Sequence, residues 1–158
     1  MTDDTERPST PFMRPSSTER VLNRLFGFLV RMGVGSSDNF MLEVRGRKSG
    51  KTYSTPVNVL EYKGTRYLVA PRGYTQWVRN VVTNKSASLV KGSRREEVSV
   101  SAMPDNEKPD ILKAYLDRHR RTVQKYFPIA AGSPATDFEP LADQYPVFEI
   151  TAEKNGKS

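Results

Sequence analysis

The fold of this chain is decided by residues 40–62, "FMLEVRGRKSGKTYSTPVNVLEY". The two ends of this stretch, "FMLEVR" and "YSTPVNVLEY", place β-branched and aromatic residues at alternate positions, a pattern typical of half-buried strands. The middle, "GRKSGK", has glycine on both sides of a polar, mainly basic tripeptide, and glycine favours tight turns. The stretch therefore predicts a β-hairpin whose connection is short and strongly cationic.

The end of this connection looks like the phosphate loop of an ATPase, because Gly50, Lys51 and Thr52 reproduce the last residues of that motif. The ATPase loop requires four residues between its glycines, whereas Gly46 and Gly50 enclose only three. It must also open a helix, whereas "YSTPVNV" combines β-branched residues with Pro56 and continues as a strand. Both differences exclude the ATPase interpretation.

What remains between the two glycines is Arg47, Lys48 and Ser49. Glycines allow the backbone to curl so that consecutive amides converge, while the three side chains add charge-assisted and hydroxyl hydrogen bonds. This combination predicts an anion-binding loop. The same residues are equally compatible with a solvated basic turn.

The rest of the chain predicts four further strands and two helices. The strand segments are "TRYLVAP", "SASLVKG", "EEVSVSA" and "YPVFEI", and a short helix covers "QWVRNVVTN". A longer helix opens at Pro104, because one stripe carries Ile111, Leu112, Tyr115, Leu116, His119 and Val123. The segment "PIAAGSPATDFEP" is predicted to be a loop. This order predicts an α+β fold, with about six mainly antiparallel strands closed into a small barrel and flanked by helices.

The N-terminal region predicts an amphipathic helix over residues 17–32, "STERVLNRLFGFLVRM". Its apolar residues share one stripe, and three arginines lie on the other side. The pattern is compatible with a helix packed on the core and with a helix lying on a membrane surface. Residues 1–16 and 153–158 are predicted to be flexible tails, so that residues 17–152 form a single domain.

Composition limits the possible partners and location. The chain has no cysteine, which excludes disulfides and thiolate sites. With 25 Lys and Arg against 18 Asp and Glu, the net charge of +7 favours an anionic partner such as nucleic acid, anionic lipid or a phosphorylated cofactor. The chain shows neither a secretory signal nor an apolar run of roughly 20 residues. We therefore expect a cytoplasmic protein, either soluble or peripheral at the inner face of the membrane.

Metal and serine-hydrolase chemistry find no support in the sequence. The chain contains a single histidine, His119, and no cluster of His, Asp and Glu at ligand spacing. No serine lies in a Gly-x-Ser-x-Gly context. The sequence therefore predicts a protein without a metal site.

Four features together resemble the deazaflavin-dependent nitroreductase family. They are the "GRKSG" run at 46–50, Pro56 six residues later, the Trp-x-x-Asn pair of Trp77 and Asn80, and a closing Pro-Val strand at Pro146. The resemblance covers roughly residues 40–150 with the elements in the family's order. It implies a split β-barrel, and the amphipathic helix predicted over residues 17–32 precedes the part of the chain that the resemblance covers.

The resemblance also implies a cofactor, coenzyme F420, a 5-deazaflavin with a phosphodiester and an oligoglutamate tail that family members bind in a groove of the barrel. The predicted phosphate-binding residues are Arg47, Lys48 and Ser49. The other predicted contacts form three groups: Tyr53, Ser54, Thr55, Pro56, Val57 and Asn58 beneath the ring, Ala70, Pro71 and Arg72 at a strand end, and Gln76, Trp77, Val78, Arg79 and Asn80 along the helix start.

The implied reaction is hydride transfer from the deazaflavin C5 to a small electron acceptor, such as a quinone or a nitro compound. The family places a tyrosine against the substrate, and Tyr126 matches that position as the catalytic proton donor. Tyr115 is the second candidate, although its place in the helix stripe predicts a core residue. Arg72 favours an acceptor with a negatively charged group.

Two other functions remain as alternatives. Split barrels also bind FMN, which makes FMN the alternative cofactor. A basic nucleic-acid-binding barrel is the other alternative, since "RGRKSGK" and "KGSRRE" are cationic hairpins, but the strands lack an interleaved aromatic platform and nucleic acid is not favoured. The sequence leaves monomer and homodimer open.

Overall fold

The structure is a computed structural model that describes residues 37–153. The predicted tail over 1–16 and the predicted helix over 17–32 lie outside the described residues, as does the C-terminal end beyond 153. The predicted division into one domain with two tails stays a prediction. Among residues 37–153, no helix is both long and apolar enough to cross a membrane.

Six antiparallel strands close into a barrel, which confirms the predicted fold class. The order around the barrel is β1, β2, β3, β6, β5, β4, and β4 pairs back with β1. The strands are β1 Asn39–Arg45, β2 Thr52–Tyr62, β3 Thr65–Val69, β4 Ser86–Lys91, β5 Arg94–Ala102 and β6 Val147–Ala152. Each of the six predicted strand segments overlaps one observed strand, with ends that agree to within two residues.

The barrel interior is filled by alternate residues of the strands, as their period of two requires. The short helix α1, Gln76–Asn84, packs into this interior through Val78 and Val81, which are both fully buried. The prediction of this helix is confirmed to the residue. The interior cluster consists of Leu42, Val44, Val59, Leu68, Ala70, Val78, Val81, Ala87, Leu89, Val98, Val100, Phe148 and Ile150.

A second core lies on the outer side of β2, β3 and β6, under helix α2, Pro109–Val123. The predicted helix start at Pro104 was wrong, because a separate 3₁₀ turn, Asp105–Glu107, precedes the helix. Lys108 lies between this turn and the helix, and its ammonium group is buried. It donates a hydrogen bond to the Ala142 carbonyl at 3.0 Å and forms an ion pair with the Asp105 carboxylate at 2.8 Å. This cation fixes the turn and makes Pro109 the first helical residue, where its missing N–H costs nothing.

Two further local predictions require correction. The segment expected to be a loop is partly ordered as a 3₁₀ stretch, Ala135–Gln144, in which Phe138 is fully buried against the second core. Within α2, His119 leaves helical geometry with φ −111° and ψ 23°. The helix therefore changes direction before the segment that leads to Tyr126.

The barrel wall is split beside the first half of β2. Residues Thr52 to Asn58 pair with β1, whereas β3 pairs only with Val59 to Tyr62. Beyond Leu68, β3 no longer pairs with β2, and its other edge pairs with β6 from Arg66 to Val69. One edge of the first half of β2 is thus left without a neighbouring strand among those described, and an opening forms between β2 and the end of β3.

A bidentate ion pair joins β3 to β5 across β6. The Arg66 guanidinium contacts both Glu96 carboxylate oxygens, at 2.9 and 2.7 Å. These hydrogen bonds hold the pKa of Glu96 below its ordinary value of 4.5. When folding lowers the pKa of a carboxyl group, the ionised group stabilises the folded protein at pH values above its pKa in the unfolded chain. This stabilisation is lost as the pH falls through the lower pKa of the folded state.

We expect Glu96→Gln to lower the free energy of unfolding at pH 7 by no more than about 1 kcal/mol, because both side chains are partly exposed to solvent. At pH 3 the difference from the unchanged protein should shrink, since Glu96 is then largely protonated in the unfolded chain. Urea unfolding of both proteins at the two pH values measures this difference in the free energy of unfolding. An equal difference at both would contradict the pairing.

Candidate active site

The opening in the barrel wall holds a cavity of about 770 Å³. This volume lies within the range of roughly 300–1,000 Å³ that is usual for ligand and cofactor sites. Its walls are the β1–β2 hairpin, the first half of β2, the residues that follow β3, the start of α1 and the end of α2. The cavity is therefore built from segments far apart in the chain.

The hairpin at the mouth of the cavity requires glycine at two positions for different reasons. A Cβ on Gly46 would lie 2.6 Å from Cε2 of Tyr53 and 2.9 Å from Oγ of Ser49. Gly50 instead has φ +76°, a conformation that residues with a Cβ rarely adopt. The two glycines allow a tight connection, closed by the Gly46 amide, which donates to the Lys51 carbonyl at 2.7 Å.

The sequence predicted that consecutive amides of this loop converge on an anion, and the structure shows that several of these amides bond within the protein. The Gly46 and Gly50 amides donate to backbone carbonyls, the Lys51 amide donates to Ser49 Oγ, and the Arg47 amide donates to Asn80 Oδ1. Four amides are thus engaged within the protein. These four amides are not available to a bound anion, and the side chains of Arg47 and Lys48 carry the positive charge of the loop.

Helix α1 holds the hairpin through one face, with residues spaced four apart. Arg47 donates from its guanidinium to Gln76 at 3.0 Å and to Asn80 at 2.8 Å. Asn84 donates to the Arg45 carbonyl at 2.6 Å. Asn80 is buried and accepts two bonds from Arg47, so that the Asn of the Trp-x-x-Asn pair orients the cationic loop.

The wall opposite the hairpin is aromatic. Tyr115 is 2% exposed and hydrogen-bonded to the Asn58 side chain, and burial raises the pKa of its phenol above the usual range. Tyr126 is half-buried and lines the same cavity. Its carbonyl accepts a hydrogen bond from Tyr145 at 2.5 Å, and burial raises the pKa of Tyr145 to about 12, which keeps that donor protonated.

The structure brings most of the sequence-predicted residues to this cavity. Its lining includes Arg47, Lys48, Ser49, Tyr53, Ser54, Thr55, Pro56, Val57, Asn58, Ala70, Pro71, Arg72, Gln76, Trp77, Asn80 and Tyr126. Two predicted residues do not line it. Val78 is fully buried in the barrel interior and Arg79 is exposed outside the cavity, because they follow Trp77 around the helix onto other faces.

Several residues of the cavity lining were not predicted from the sequence: Val44, Gly46, Val69, Thr75, Thr122 and Val123. Gly46 belongs to the "GRKSG" run and Thr75 immediately precedes α1, so both had a local signal. The α2 residues had none, since only the turn of the chain at His119 brings them to β2. Tyr115, expected in the core, is buried and also lines the cavity.

Substituting Gly46 tests whether the tight loop matters for binding. We expect Gly46→Ala to raise the Kd for F420 about fivefold, near 1 kcal/mol, because Tyr53 and Ser49 must move and their 3.2 Å hydrogen bond is lost. Gly64→Ala is the matched control, since Gly64 has φ +82° in the β2–β3 turn outside the cavity. It should lower stability and leave affinity unchanged. The opposite pattern would contradict this role of the loop.

The residues at this cavity fit a flat ring carrying an anionic tail. The apolar wall of Trp77, Val57 and Ala70 suits the ring, and Arg47 and Lys48 suit the phosphate. The Thr75 hydroxyl, at the start of α1, is buried and makes no hydrogen bond in the described chain. The positive end of α1 adds to the attraction for an anion. Among residues 37–153, no group of three or more His, Asp or Glu could hold a metal ion.

Comparisons with solved structures show the fold. A protein described as an F420-H2 dependent reductase (FDR-A) is 19% identical over 75% of this chain and 97% of its own, with a TM-score of 0.50. A second structure, described as a domain-swapped dimer, is 20% identical over 85% and 93% of the two chains, with a TM-score of 0.52. Atu2129 of Agrobacterium tumefaciens, of unknown function, is 16% identical over 95% and 62%, with a TM-score of 0.53.

The comparison of sequences identifies the family. No curated protein matches the chain. The sequence model of one family, described as F420H(2)-dependent quinone reductase, matches residues 20–127, which is more than half of the 158-residue chain. This range contains the cationic hairpin, the first half of β2, α1 and Tyr126. The chain therefore belongs to the F420H(2)-dependent quinone reductase family, a group of split-barrel oxidoreductases whose reductant is the reduced form of coenzyme F420.

Proposed function

We propose that this chain reduces a quinone with F420 bound in the cavity beside β2. The observation that carries the proposal is the position of the cationic hairpin at the mouth of an aromatic cavity. The cations suit the phosphate of the coenzyme, and the aromatic and apolar walls suit its ring. The description of the matching family supports a quinone as the acceptor.

The reduced coenzyme, when bound, supplies a hydride. Reduction of a quinone to a hydroquinone takes up one hydride and one proton, so the protein must orient the acceptor and place a proton donor. Arg47, Lys48 and Ser49 would hold the phosphate by charge-assisted hydrogen bonds. Pro56 has no N–H, and the free edge of β2 beside it allows a flat group to approach the backbone.

The proton donor in this proposal is Tyr126. Its ring lies in the cavity wall, and its backbone is held by the hydrogen bond from Tyr145. The Lys125 ammonium lies 5.2 Å from the ring centre. Tyr115 is less suited, because its hydroxyl is bonded to Asn58 and its raised pKa makes it a weaker acid.

The direct test is titration with reduced F420 and, separately, with FMN. Trp77 is the only tryptophan of the chain and lines the cavity, so quenching of its fluorescence reports binding there. We expect saturable quenching by F420 and weaker quenching by FMN, followed by oxidation of reduced F420 when a quinone is added. A protein that binds FMN tightly and F420 weakly would overturn the proposal.

Arg72 provides a test of acceptor class. It is half-buried in the cavity wall after β3. We expect Arg72→Ala to raise the KM for a carboxylate-bearing quinone about tenfold, as is usual for a lost charge-assisted contact, and to change the KM for a neutral quinone little. Steady-state assays with the two acceptors measure this. An equal change in KM for the two quinones would show that Arg72 does not select the acceptor.

A further inference from the structure

The outer face of β1 and β4 carries a small apolar cluster apart from both cores. Side chains alternate along these strands, and Leu42 and Leu89 fill the barrel interior. Met41 and Val90 therefore lie on the outer face, where they are neighbours in register. Each is only 6% exposed, and the two form a buried cluster of their own.

The buried residues of this outer face lie along the line where β1 pairs with β4, which we call the seam. One cross-strand row is Pro56, Met41, Val90 and Arg95, and the next is Ser54, Glu43, Ser88 and Glu97. In both rows the β1 and β4 residues are buried, while Arg95, Glu97 and Ser54 at the sides are exposed. The buried strip is two strands wide, about 10 Å, which is the diameter of one helix.

The described helices do not cover this strip. Helix α1 packs into the barrel interior, and α2 packs on the outer side of β2 and β3. An exposed sheet face of this kind leaves its central side chains accessible to water. The low exposure of Met41 and Val90 therefore calls for a covering element other than those described over residues 37–153.

We propose that residues 17–32 of the same chain lie along this seam, with their apolar stripe on Met41 and Val90. The length fits, because sixteen residues in a helix extend about 24 Å, close to the roughly 24 Å spanned by the seven residues of β1. Six residues, 33–38, join the segment to β1 and can span about 20 Å, which allows the chain to reverse direction.

Two further observations support this occupant. The stripe consists of Val21, Leu22, Leu25, Phe26, Phe28, Leu29 and Met32, an apolar surface suited to a buried strip. The family match begins at residue 20, so that it includes most of the segment. In this arrangement the apolar stripe of residues 17–32 contacts the barrel. The same side chains would have to enter a lipid bilayer in a membrane-bound state, so the two arrangements are mutually exclusive.

Thiol labelling of the full chain tests the proposal, since the chain has no native cysteine. We expect Val90→Cys to react with a maleimide at least about tenfold more slowly than Val82→Cys, which sits at a 51% exposed position. Adding Leu25→Glu and Leu29→Glu should bring the Val90→Cys rate close to that of the control. A fast rate for Val90→Cys in the otherwise unchanged chain would overturn the proposal.

An interior cysteine controls for unfolding. Ala87 lies on the same strand as Val90 but faces the barrel interior and is 7% exposed. Ala87→Cys should stay protected when Leu25 and Leu29 are changed to Glu. If Val90→Cys also stays protected in that background, the segment is not what covers the seam and the proposal fails.

Disulfide formation identifies the occupant without charged substitutions. Val90→Cys is paired in turn with a cysteine at Leu22, Leu25 or Leu29, and with one at Arg24 as the matched control on the opposite face. At low protein concentration we expect an intrachain disulfide from at least one stripe position and none from Arg24. Covalent dimers would assign the seam to a second copy. Absence of any disulfide, with the protein floating on anionic vesicles, would assign the segment to the membrane, and either result overturns the proposal.

Discussion

Replacing Arg47 and Lys48 together with alanine is expected to raise the Kd for reduced F420 roughly 30- to 1,000-fold, or about 2–4 kcal/mol. The two cations lie at the cavity mouth, where Arg47 is half-buried, so their hydrogen bonds to a phosphate are partly shielded from water. Trp77 fluorescence measures the Kd directly.

The matched control removes two cations that do not line the cavity. Arg45 and Lys51 flank the same loop and are both exposed, so Arg45→Ala with Lys51→Ala changes the net charge equally. The control should alter the Kd by no more than a few fold. Similar losses of affinity in both double variants would show that only the overall positive charge of this region matters. An unchanged Kd in the Arg47 and Lys48 double variant would show that the loop is a basic turn that does not bind the coenzyme.

Lys48→Ala alone separates binding from architecture. Arg47 also ties the hairpin to α1 through Gln76 and Asn80, and its loss loosens the loop as well as removing a charge. Lys48 is exposed, so its removal leaves the loop in place. A loss of affinity of at least a few fold in this single variant would assign the effect to the ligand rather than to the loop.

The second large effect is expected from Tyr126→Phe, which should lower kcat for quinone reduction on the order of 100-fold. The change removes only the hydroxyl, and the Tyr145 bond is to the backbone carbonyl, so the cavity wall stays in place. The Kd for F420 should therefore hardly change. A kcat close to that of the unchanged protein would exclude Tyr126 as the proton donor.

Tyr115→Phe is the comparison. It removes a buried hydroxyl bonded to Asn58, which is expected to lower the free energy of unfolding by about 1 kcal/mol and to leave kcat within a few fold. Kinetic and thermal unfolding measurements on both variants distinguish the two roles. If Tyr115→Phe abolishes turnover while Tyr126→Phe does not, the donor is the buried tyrosine.

The local elements of this protein were predictable because their causes are local. Alternation of apolar side chains predicted all six strands, and the spacing of Trp77, Val78 and Val81 predicted α1. The errors occurred where a distant partner decides the conformation. Lys108 delays the start of α2 by reaching the Ala142 carbonyl, 34 residues away, and no local pattern indicates that contact.

The predicted site followed the same division. The hairpin and first half of β2 are contiguous in sequence, and every residue predicted there lines the cavity. The prediction was less accurate on α1, where a contiguous run of five was proposed although a helix turns each successive residue to a different side. Trp77 therefore lines the cavity while Val78 enters the core and Arg79 meets solvent.

The sequence by itself determined the six strands, the short helix, the tight cationic turn and the family, because each depends on residues close together in the chain. Tertiary structure alone decided that β3 leaves β2 after Leu68 and that four amides of the cationic loop bond within the protein. It also decided that α2 and the 3₁₀ turn after it, Gln124–Tyr126, place Tyr115 and Tyr126 at the resulting gap. The cavity is the space between elements, and its shape depends on long-range pairing that no single segment encodes.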